Sequence, residues 1–272
     1  MIHLHQMSLP PPKPGQADDR YPFTVPAVAA LRQTPLAFDA AVTFLVGENG
    51  SGKSAILEGL ACAAGSIAIA GDDPRRDPAL AAARTLGDRL RLSWRARTQR
   101  GFFLRAEDFF GFAKYISALR AGLEDDLARL EAEPGPETFG RGLARGAYLK
   151  EIGALQQTDS TVNETSHGES FLELFQRRFV PRGLYILDEP EAPLSPIRQL
   201  ALLALLREMV STGESQFIIA SHSPILMAFP GATLYSLDDG APRRVEWAEL
   251  EHVSLTRDFL NDPQAFLRQL GG

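Results

Sequence analysis

The sequence predicts an α/β fold with a mainly parallel sheet, an antiparallel β portion and a small helical subdomain. Residues 41–46 form a nearly continuous apolar run with β-branched residues, as in a parallel strand buried on both faces. Apolar runs recur at 183–187 and 216–220, and helical segments separate them. Alternating strands and helices imply a sheet that is covered on both sides. With 272 residues, 44% of them hydrophobic, the chain is long enough to bury a full core.

The N-terminal part predicts a strand, a connection and then the first strand-loop-helix unit. Ile2 and Leu4 alternate with polar residues as in a short edge strand, and the prolines that follow supply no donors to a sheet. The strand at 41–46 leads into a glycine-rich loop, and a helix is expected after Lys53.

The middle of the chain predicts an antiparallel hairpin followed by helices. Residues 89–96 alternate apolar and polar side chains, and a short turn separates them from the apolar residues 102–104. Residues 109–132 carry leucines at helical spacing, and the Pro-Gly-Pro run at 134–136 ends this helix.

The C-terminal half predicts alternating helices and strands. Ser195 and Pro196 are typical of an N-cap and of the first helical position, respectively. The predicted elements are a helix at 169–179, a strand at 183–187, a helix at 196–210, a strand at 216–220, a strand and hairpin from 233, and a terminal helix at 257–270.

Composition narrows the class of protein. The formal charge of -6 argues against a role in coating nucleic acid. The most apolar stretch, 55–70, is interrupted by Glu58 and by glycines, so we expect a buried helix and no membrane span. The single cysteine, Cys62, cannot form an internal disulfide, and the start of the chain lacks the pattern of a signal peptide. We therefore expect a soluble, cytoplasmic protein.

A glycine-rich loop predicts a site for a nucleoside triphosphate. Glycines allow backbone N–H groups to curl around phosphates, and the following helix adds its positive N-terminus. Lys53 supplies a point charge to the β- and γ-phosphates, and the Ser54 hydroxyl supplies a ligand for Mg²⁺. The predicted phosphate-binding residues are Gly47, Glu48, Asn49, Gly50, Ser51, Gly52, Lys53 and Ser54.

Two acidic residues follow the apolar strand at 183–187. Asp188 is expected to hold Mg²⁺ through water, and Glu189 to polarise the attacking water molecule. In a chain without a phosphate-binding loop, the same pair would also fit an ordinary exit from a strand.

Two further motifs are weaker when taken alone. His222 follows the strand at 216–220 and is placed to donate a hydrogen bond to the γ-phosphate, although a histidine there is often structural. Ser166, Gly168 and Glu169 open a predicted helix, where Ser166 and Glu169 also fit a plain capping box.

The order of these motifs resembles that of ABC-type P-loop ATPases. Residues 165–169 align with the signature motif of that class, 188–190 with its Walker B strand, and His222 with its switch histidine. Within the class, 188–191 and 220–226 are more similar to the SMC and RecF-like branch than to transporter subunits. The resemblance extends to compact bacterial ATPases of that branch, which lack the coiled coil.

The resemblance implies ATP and Mg²⁺ as cofactors and a head-to-tail homodimer. In such a dimer, Ser166 and Gly168 of one subunit contact the γ-phosphate that is bound to Lys53 of the other. Hydrolysis through Glu189 would then release the dimer. Tyr21 or Phe23 is a candidate to stack on adenine, although both also fit the core.

The resemblance also implies one ABC-type ATPase domain over 1–272, with a helical signature subdomain inserted at 108–180. Two positions depart from the pattern of the class. His167 replaces a signature glycine, and Ser195 stands where transporter subunits carry an aspartate. Glu107 is the candidate for the glutamine-loop position.

The function expected from these motifs is an ATP-dependent switch that acts on DNA or on a partner protein in repair or defence. Arg89, Arg91, Arg95 and Arg97 are expected on one strand face, where they would either meet phosphates or simply be solvated. The alternative function is the nucleotide-binding subunit of an ABC transporter, which would co-purify with membranes.

Overall fold

A computed structural model describes residues 2–15, 18–69, 77–105, 121–132, 141–143, 145–150, 152–153, 167–212 and 214–270. The strands are β1 (Leu4–Ser8), β2 (Leu36–Ala37), β3 (Val42–Val46), β4 (Arg91–Trp94), β5 (Phe103–Leu104), β6 (Leu184–Asp188), β7 (Gln216–Ala220), β8 (Thr233–Ser236) and β9 (Arg243–Val245). The helices are α1 (Pro26–Ala30), α2 (Lys53–Ala64), α3 (Ala81–Gly87), α4 (His167–Arg178), α5 (Pro196–Ser211), α6 (Pro224–Met227), α7 (Glu251–Asn261) and α8 (Pro263–Leu270).

Among the described residues, the main sheet has six strands in the order β5-β6-β7-β3-β8-β9. Neighbouring strands from β5 to β8 are parallel, and β9 pairs antiparallel with β8 as the expected late hairpin. A second sheet, with the order β2-β1-β4, is antiparallel throughout. The predicted α/β class, with a mainly parallel sheet and an antiparallel portion, is confirmed.

The predicted hairpin between 89–96 and 102–104 is wrong. Strand β4 pairs with β1, whereas β5 pairs in parallel with β6 in the main sheet. Gly101 has φ +110, and a Cβ there would lie 1.8 Å from the carbonyl oxygen of Leu184. At Gly101 the chain therefore passes close to the backbone of β6 as it runs from the antiparallel sheet to the main sheet. The sequence predicts a hairpin turn at this position. Strand β1 is also central in its sheet, not at an edge.

Both faces of the main sheet are buried, and successive strand residues alternate between two hydrophobic clusters. Phe44 of β3 belongs to the cluster that contains Leu202 of α5. Its neighbour Leu45 belongs to the cluster that contains Leu60 of α2 and Leu4 of β1. The period of two places helices α4 and α5 on one face, and α2 with the antiparallel sheet on the other.

Helix boundaries follow local signals. Ser195 is the N-cap residue of α5, with Pro196 at the first helical position, as predicted. The predicted terminal helix is divided in two, because α7 ends at Asn261 and α8 begins at Pro263. Proline removes a backbone donor and disfavours helical geometry in the preceding residue, which explains the break.

About half of the predicted signature subdomain lies outside the described residues, as does Glu107. Its described parts, 121–132, 141–143, 145–150, 152–153 and α4, are helical. The boundaries at 1–272 and 108–180 therefore stay predictions. None of the helices among the described residues has both the length and the apolar character needed to cross a membrane.

Candidate nucleoside-triphosphate site

The candidate site lies at the carboxyl ends of four adjacent parallel strands. In the sheet register, Ala220 is paired with Leu45 of β3 on one side and with Asp188 of β6 on the other. Val46 is paired with Ser236 of β8. Because these strands end together, the loops that follow them meet at one edge, which is where open α/β sheets bind ligands.

The glycine-rich loop that joins β3 to α2 uses backbone conformations suited to glycine. Gly47, Gly50 and Gly52 have φ values of +146, +84 and +103, respectively. A Cβ at Gly47 would lie 2.8 Å from Oδ1 of Asp238, and one at Gly52 would lie 2.7 Å from Cγ1 of Val25. Both contacts are too close for a side chain, so the loop is a tight cradle of backbone groups at the start of α2.

Lys53 is buried inside this loop, with 4% of its surface exposed. Its Nζ donates to the carbonyl oxygens of Gly47 at 2.7 Å and Glu48 at 3.0 Å. Burial lowers the pKa of Lys53, an effect that the nearby carboxylates of Glu189 and Asp188 oppose. The ammonium group is thus fixed where the backbone cradle and the carboxyl edge of the sheet meet.

Asp238 is a component of the site that the sequence did not reveal. Its Oδ1 accepts a hydrogen bond from the backbone N–H of Glu48 at 2.7 Å, and its Oδ2 accepts one from the Ser236 hydroxyl at 2.9 Å. The sequence predicts only a strand and hairpin from 233 in this region. The one available signal was that Asp238 follows β8, which a parallel sheet places beside β3.

Asp188 sits at the end of β6 and is 7% exposed. Burial raises its pKa to about 6, which a hydrogen bond from Ser54 partly opposes. Its Oδ1 is buried and has no hydrogen-bond partner among the described residues. An unpaired buried carboxylate oxygen beside a serine hydroxyl is a suitable position for a hard cation.

The donor set fits Mg²⁺. Mg²⁺ retains several water molecules, and proteins usually hold it with one or two side chains together with substrate phosphates. Within the described part of the chain, no group of three or more His, Cys, Asp or Glu residues forms a cage for a metal ion. Asp188 and Ser54 would therefore hold the ion only in combination with phosphate oxygens.

Glu189 and His222 face each other across the ends of β6 and β7. Nε2 of His222 lies 3.6 Å from Oε1 of Glu189, and each side chain is 38% exposed. The backbone of Glu189 has a φ of 48, which is unusual for a residue other than glycine, and its N–H donates to the Ala220 carbonyl at 2.9 Å. Such strained backbone is frequent at functional sites.

Glu191 is a second residue whose role the sequence did not reveal. Its Oε1 accepts hydrogen bonds from the Ser221 hydroxyl at 2.8 Å and from the backbone N–H of His222 at 2.6 Å. Burial raises the pKa of Glu191, and these two hydrogen bonds oppose the rise. Glu191 therefore ties the loop after β6 to the loop that carries His222.

His252 of α7 is a third such residue. Burial lowers the pKa of His252, and the nearby His222 acts in the same direction, whereas Asp238 and Glu48 oppose it. Its Nε2 is buried without a hydrogen-bond partner in the described part of the chain. Nothing in the local sequence marks His252, because only the fold brings α7 within electrostatic range of the phosphate-binding loop.

The remaining candidates are placed in part. Ser166 lies outside the described residues, while Gly168 and Glu169 lie in the first turn of α4. Phe23 is 6% exposed, and the guanidinium carbon of Arg89 lies 4.4 Å from the centre of its ring. Phe23 is therefore a core residue. Tyr21 is 60% exposed.

Comparisons with known proteins show a similarity at the level of overall structure. No family model matches the chain, and no curated protein matches it. The chain is similar to the ADP conformation of MJ1267, an ATP-binding cassette of an ABC transporter, at 16% identity and a TM-score of 0.45, with 100% of each chain covered. It is also similar to the dimeric structure of MJ0796, a bacterial ABC transporter cassette, at 14% identity and a TM-score of 0.45, with 91% of this chain and 99% of that chain covered.

MJ0796 is also known in a dimeric post-hydrolysis state bound to ADP and phosphate, to which this chain is similar at 14% identity and a TM-score of 0.42, again with 91% and 99% coverage. Identities of this size and TM-scores below 0.5 assign no family to the chain. The functional argument therefore rests on the residues of the site.

Proposed function

We propose that this protein binds ATP with Mg²⁺ and hydrolyses it as a cytoplasmic molecular switch. The observation that carries the proposal is the convergence, at one sheet edge, of a buried lysine, a buried carboxylate with an unpaired oxygen, and a facing Glu-His pair. These are Lys53, Asp188, Glu189 and His222. Phosphoryl transfer depends on positioning and charge stabilisation, which this arrangement supplies.

Each group has a distinct role in the proposed reaction. Lys53 neutralises charge on the β- and γ-phosphates, while the loop amides hold the phosphate oxygens. Mg²⁺, held by Ser54 and Asp188, would supply further charge neutralisation when bound. Glu189 orients the attacking water and accepts its proton, and His222 donates a hydrogen bond to the γ-phosphate.

The proposed active form is a head-to-tail homodimer around ATP. Ser166 and Gly168 of one copy would complete the site around the γ-phosphate held by Lys53 of the other. Support comes from the exposure of Glu48, Asn49, Gly50 and Ser54, which leaves one side of the phosphate-binding loop accessible. A second surface can therefore reach the bound nucleotide.

The proposed target of the switch is DNA or a partner protein, as in the SMC and RecF-like branch. The supporting observation is that Arg91, Arg95 and Arg97 are exposed on and beside β4. Arg89, the fourth expected member, forms an ion pair with Asp18 and stacks on Phe23, so it belongs to the fold of the domain.

Phosphate release from ATP without an added acceptor tests the proposal. The wild-type protein should release phosphate in the presence of Mg²⁺, whereas Lys53→Ala should lose nucleotide binding because its ammonium group is gone. Glu189→Gln should retain ATP but lower turnover by about 100-fold or more, since general-base contributions reach that size.

Fluorescent-nucleotide binding measures the affinity for nucleotide, and single-turnover phosphate assays measure the rate of hydrolysis. The exposed-site variant Glu208→Ala is the control, because it removes a carboxylate of α5 away from the site. Absence of any phosphate release by folded wild-type protein would exclude the ATPase.

A further inference from the structure

The loop that carries His222 is held by a carboxylate that has no other evident task. Oε1 of Glu191 receives two hydrogen bonds, from the Ser221 hydroxyl at 2.8 Å and from the His222 N–H at 2.6 Å. Oε2 of Glu191 is buried and has no partner among the residues that the structure describes. Burial of a carboxylate is unfavourable unless hydrogen bonds compensate it, so a specific gain is expected from its presence.

We propose that Glu191 is a positioning residue for ATP hydrolysis: its carboxylate fixes the backbone at Ser221 and His222 and thereby sets the distance between the His222 ring and Glu189. This inference rests on the proposed function and deepens it. Glu191 acts through His222, whose backbone N–H donates to it.

The geometry supports a positioning role because both ends of the Glu189–His222 contact belong to the same hydrogen-bonded unit. Glu189 lies two residues before Glu191, and its N–H is bonded to the carbonyl of Ala220 at 2.9 Å. His222 is bonded through its N–H to Glu191. These two hydrogen bonds, which lie on either side of Ser221, hold the loop after β6 against the loop after β7.

The same hydrogen-bond network extends to helix α5. The N–H of Ser223 donates to the Ser221 hydroxyl at 3.0 Å, and the Ser223 hydroxyl donates to Oε1 of Gln199 at 2.6 Å. Nε2 of Gln199 donates to the carbonyl of Leu194 at 3.1 Å. The loop of His222 is therefore connected to the start of α5, so displacement of one requires rearrangement of the other.

The two hydrogen bonds to Oε1 of Glu191 favour the observed position of the His222 backbone over alternatives in which the loop moves away and both bonds are lost. A shift of about 1 Å in a reacting group can reduce a rate by about 100-fold. The expected effect of Glu191 is consequently on turnover and not on nucleotide affinity.

Steady-state kinetics of three variants test the proposal. Glu191→Ala should lower kcat about 10- to 100-fold while the nucleotide Kd changes less than about two-fold. Glu191→Gln should retain at least about one third of kcat, since an amide oxygen accepts the same two hydrogen bonds. Ser221→Ala removes one donor and should lower kcat about three-fold, and it also serves if Glu191→Ala does not fold. Glu208→Ala is the matched control and should behave as wild type.

A double-mutant cycle distinguishes positioning from general destabilisation. Because Glu191 acts through His222, Glu191→Ala combined with His222→Ala should be no slower than His222→Ala alone. If the loss of kcat in the double variant equals the product of the two single losses, the proposal is overturned. A change in the nucleotide Kd of Glu191→Ala as large as its change in kcat would also overturn it.

The ring-proton NMR signal of His222 in nucleotide-free protein provides a readout that needs no activity. Its identity is established by its loss in His222→Ala. The signal should shift or broaden in Glu191→Ala and stay in place in Glu191→Gln. An unmoved signal in Glu191→Ala overturns the inference, whereas loss of phosphate release in the wild type with a shifted signal overturns only the ATPase.

Discussion

At the scale of single residues, the carboxyl group of Asp188 couples the site to pH. Its burial raises the pKa from 3.8 to about 6, and the neighbouring acids Glu189 and Glu191 contribute in the same direction. The native state therefore keeps this proton up to about pH 6, whereas the unfolded chain releases it near pH 4. Between these values the native state binds more protons, so its stability decreases as pH rises.

Asp188→Asn should consequently stabilise the nucleotide-free protein at high pH. A pKa difference of this size corresponds to about 3 kcal/mol of unfolding free energy at pH 8, which the variant regains because asparagine has no charge to bury. Near pH 4.5 the wild-type carboxyl is still protonated in the native state, so the variant should gain only about 1 kcal/mol. Urea unfolding at both pH values measures the difference.

Asp19→Asn, a substitution at an exposed acid, is the control for this experiment and should change stability little at either pH. Equal or lower stability of Asp188→Asn at pH 8 would contradict the burial argument. The same substitution removes the predicted Mg²⁺ ligand, so it should stabilise the protein while weakening Mg²⁺-dependent nucleotide binding. Opposite signs for stability and function are typical of functional sites.

The sequence predicted those site residues that belong to local motifs. Spacing alone identified the glycine loop and Lys53, and the strand-to-loop position identified Asp188, Glu189 and His222. Asp238, Glu191 and His252 are not marked by any local motif, because only the fold brings each of them near site residues that are far away in the sequence. Asp238 bonds to Glu48 only because β8 lies beside β3, and strand order is a property of the whole fold.

At the scale of elements, the predicted hairpin is wrong because β4 and β5 differ in their burial patterns. The short turn-like connection after β4 favoured a hairpin, yet the two strands differ in pattern. Strand β4 alternates exposed and partly buried residues, whereas both residues of β5, Phe103 and Leu104, are fully buried. Alternation is typical of an antiparallel sheet with one wet face, and a continuous apolar run is typical of a parallel sheet. The two strands therefore belong to different sheets.

The exposed arginines of β4 make a prediction at the same scale. If this strand face contacts DNA phosphates, Arg91→Glu combined with Arg95→Glu should weaken DNA binding and reduce the slope of log K against log salt by about two. Arg207→Glu combined with Arg268→Glu changes the net charge equally at exposed positions elsewhere and should have a smaller effect.

Electrophoretic mobility shifts over a salt series measure this effect. Any stimulation of phosphate release by DNA should disappear in the same double variant. Equal behaviour of the two double variants would show that net charge alone matters, and unchanged DNA binding would remove the basic face from the proposal. Arg89 is left intact, because its ion pair with Asp18 stabilises the N-terminal loop.

At the scale of the whole molecule, the fold leaves one side of the proposed site accessible. The main sheet is covered on both faces, and the candidate nucleotide-binding residues lie at one edge of it. There Lys53 is buried and Ser54 is exposed. Glu189 and His222 are also partly exposed there. The predicted signature residue Gly168 lies in the first turn of a different element, α4, which packs against α5 through Leu174 and Phe175.

Complementation between two inactive variants tests the head-to-tail dimer. Lys53→Ala removes the phosphate-binding lysine, and Gly168→Asp places a negative charge where the partner's γ-phosphate is expected. Each variant alone should be inactive, because every site of its dimer contains a defect. A mixed dimer, however, contains one site built from the intact Lys53 of one copy and the intact Gly168 of the other.

An equimolar mixture should therefore recover about one quarter of wild-type phosphate release, since half of the dimers are mixed and each has one intact site out of two. The Glu189→Gln variant, which keeps ATP, should double its mass from 29.7 kDa in light scattering with ATP and Mg²⁺ but not with ADP. A mixture that stays inactive although both variants are folded, together with a monomeric Glu189→Gln variant at saturating ATP, would show that the site does not use a second copy. Recovery of activity in the mixture would instead identify α4 of the partner as the missing wall of the nucleotide site.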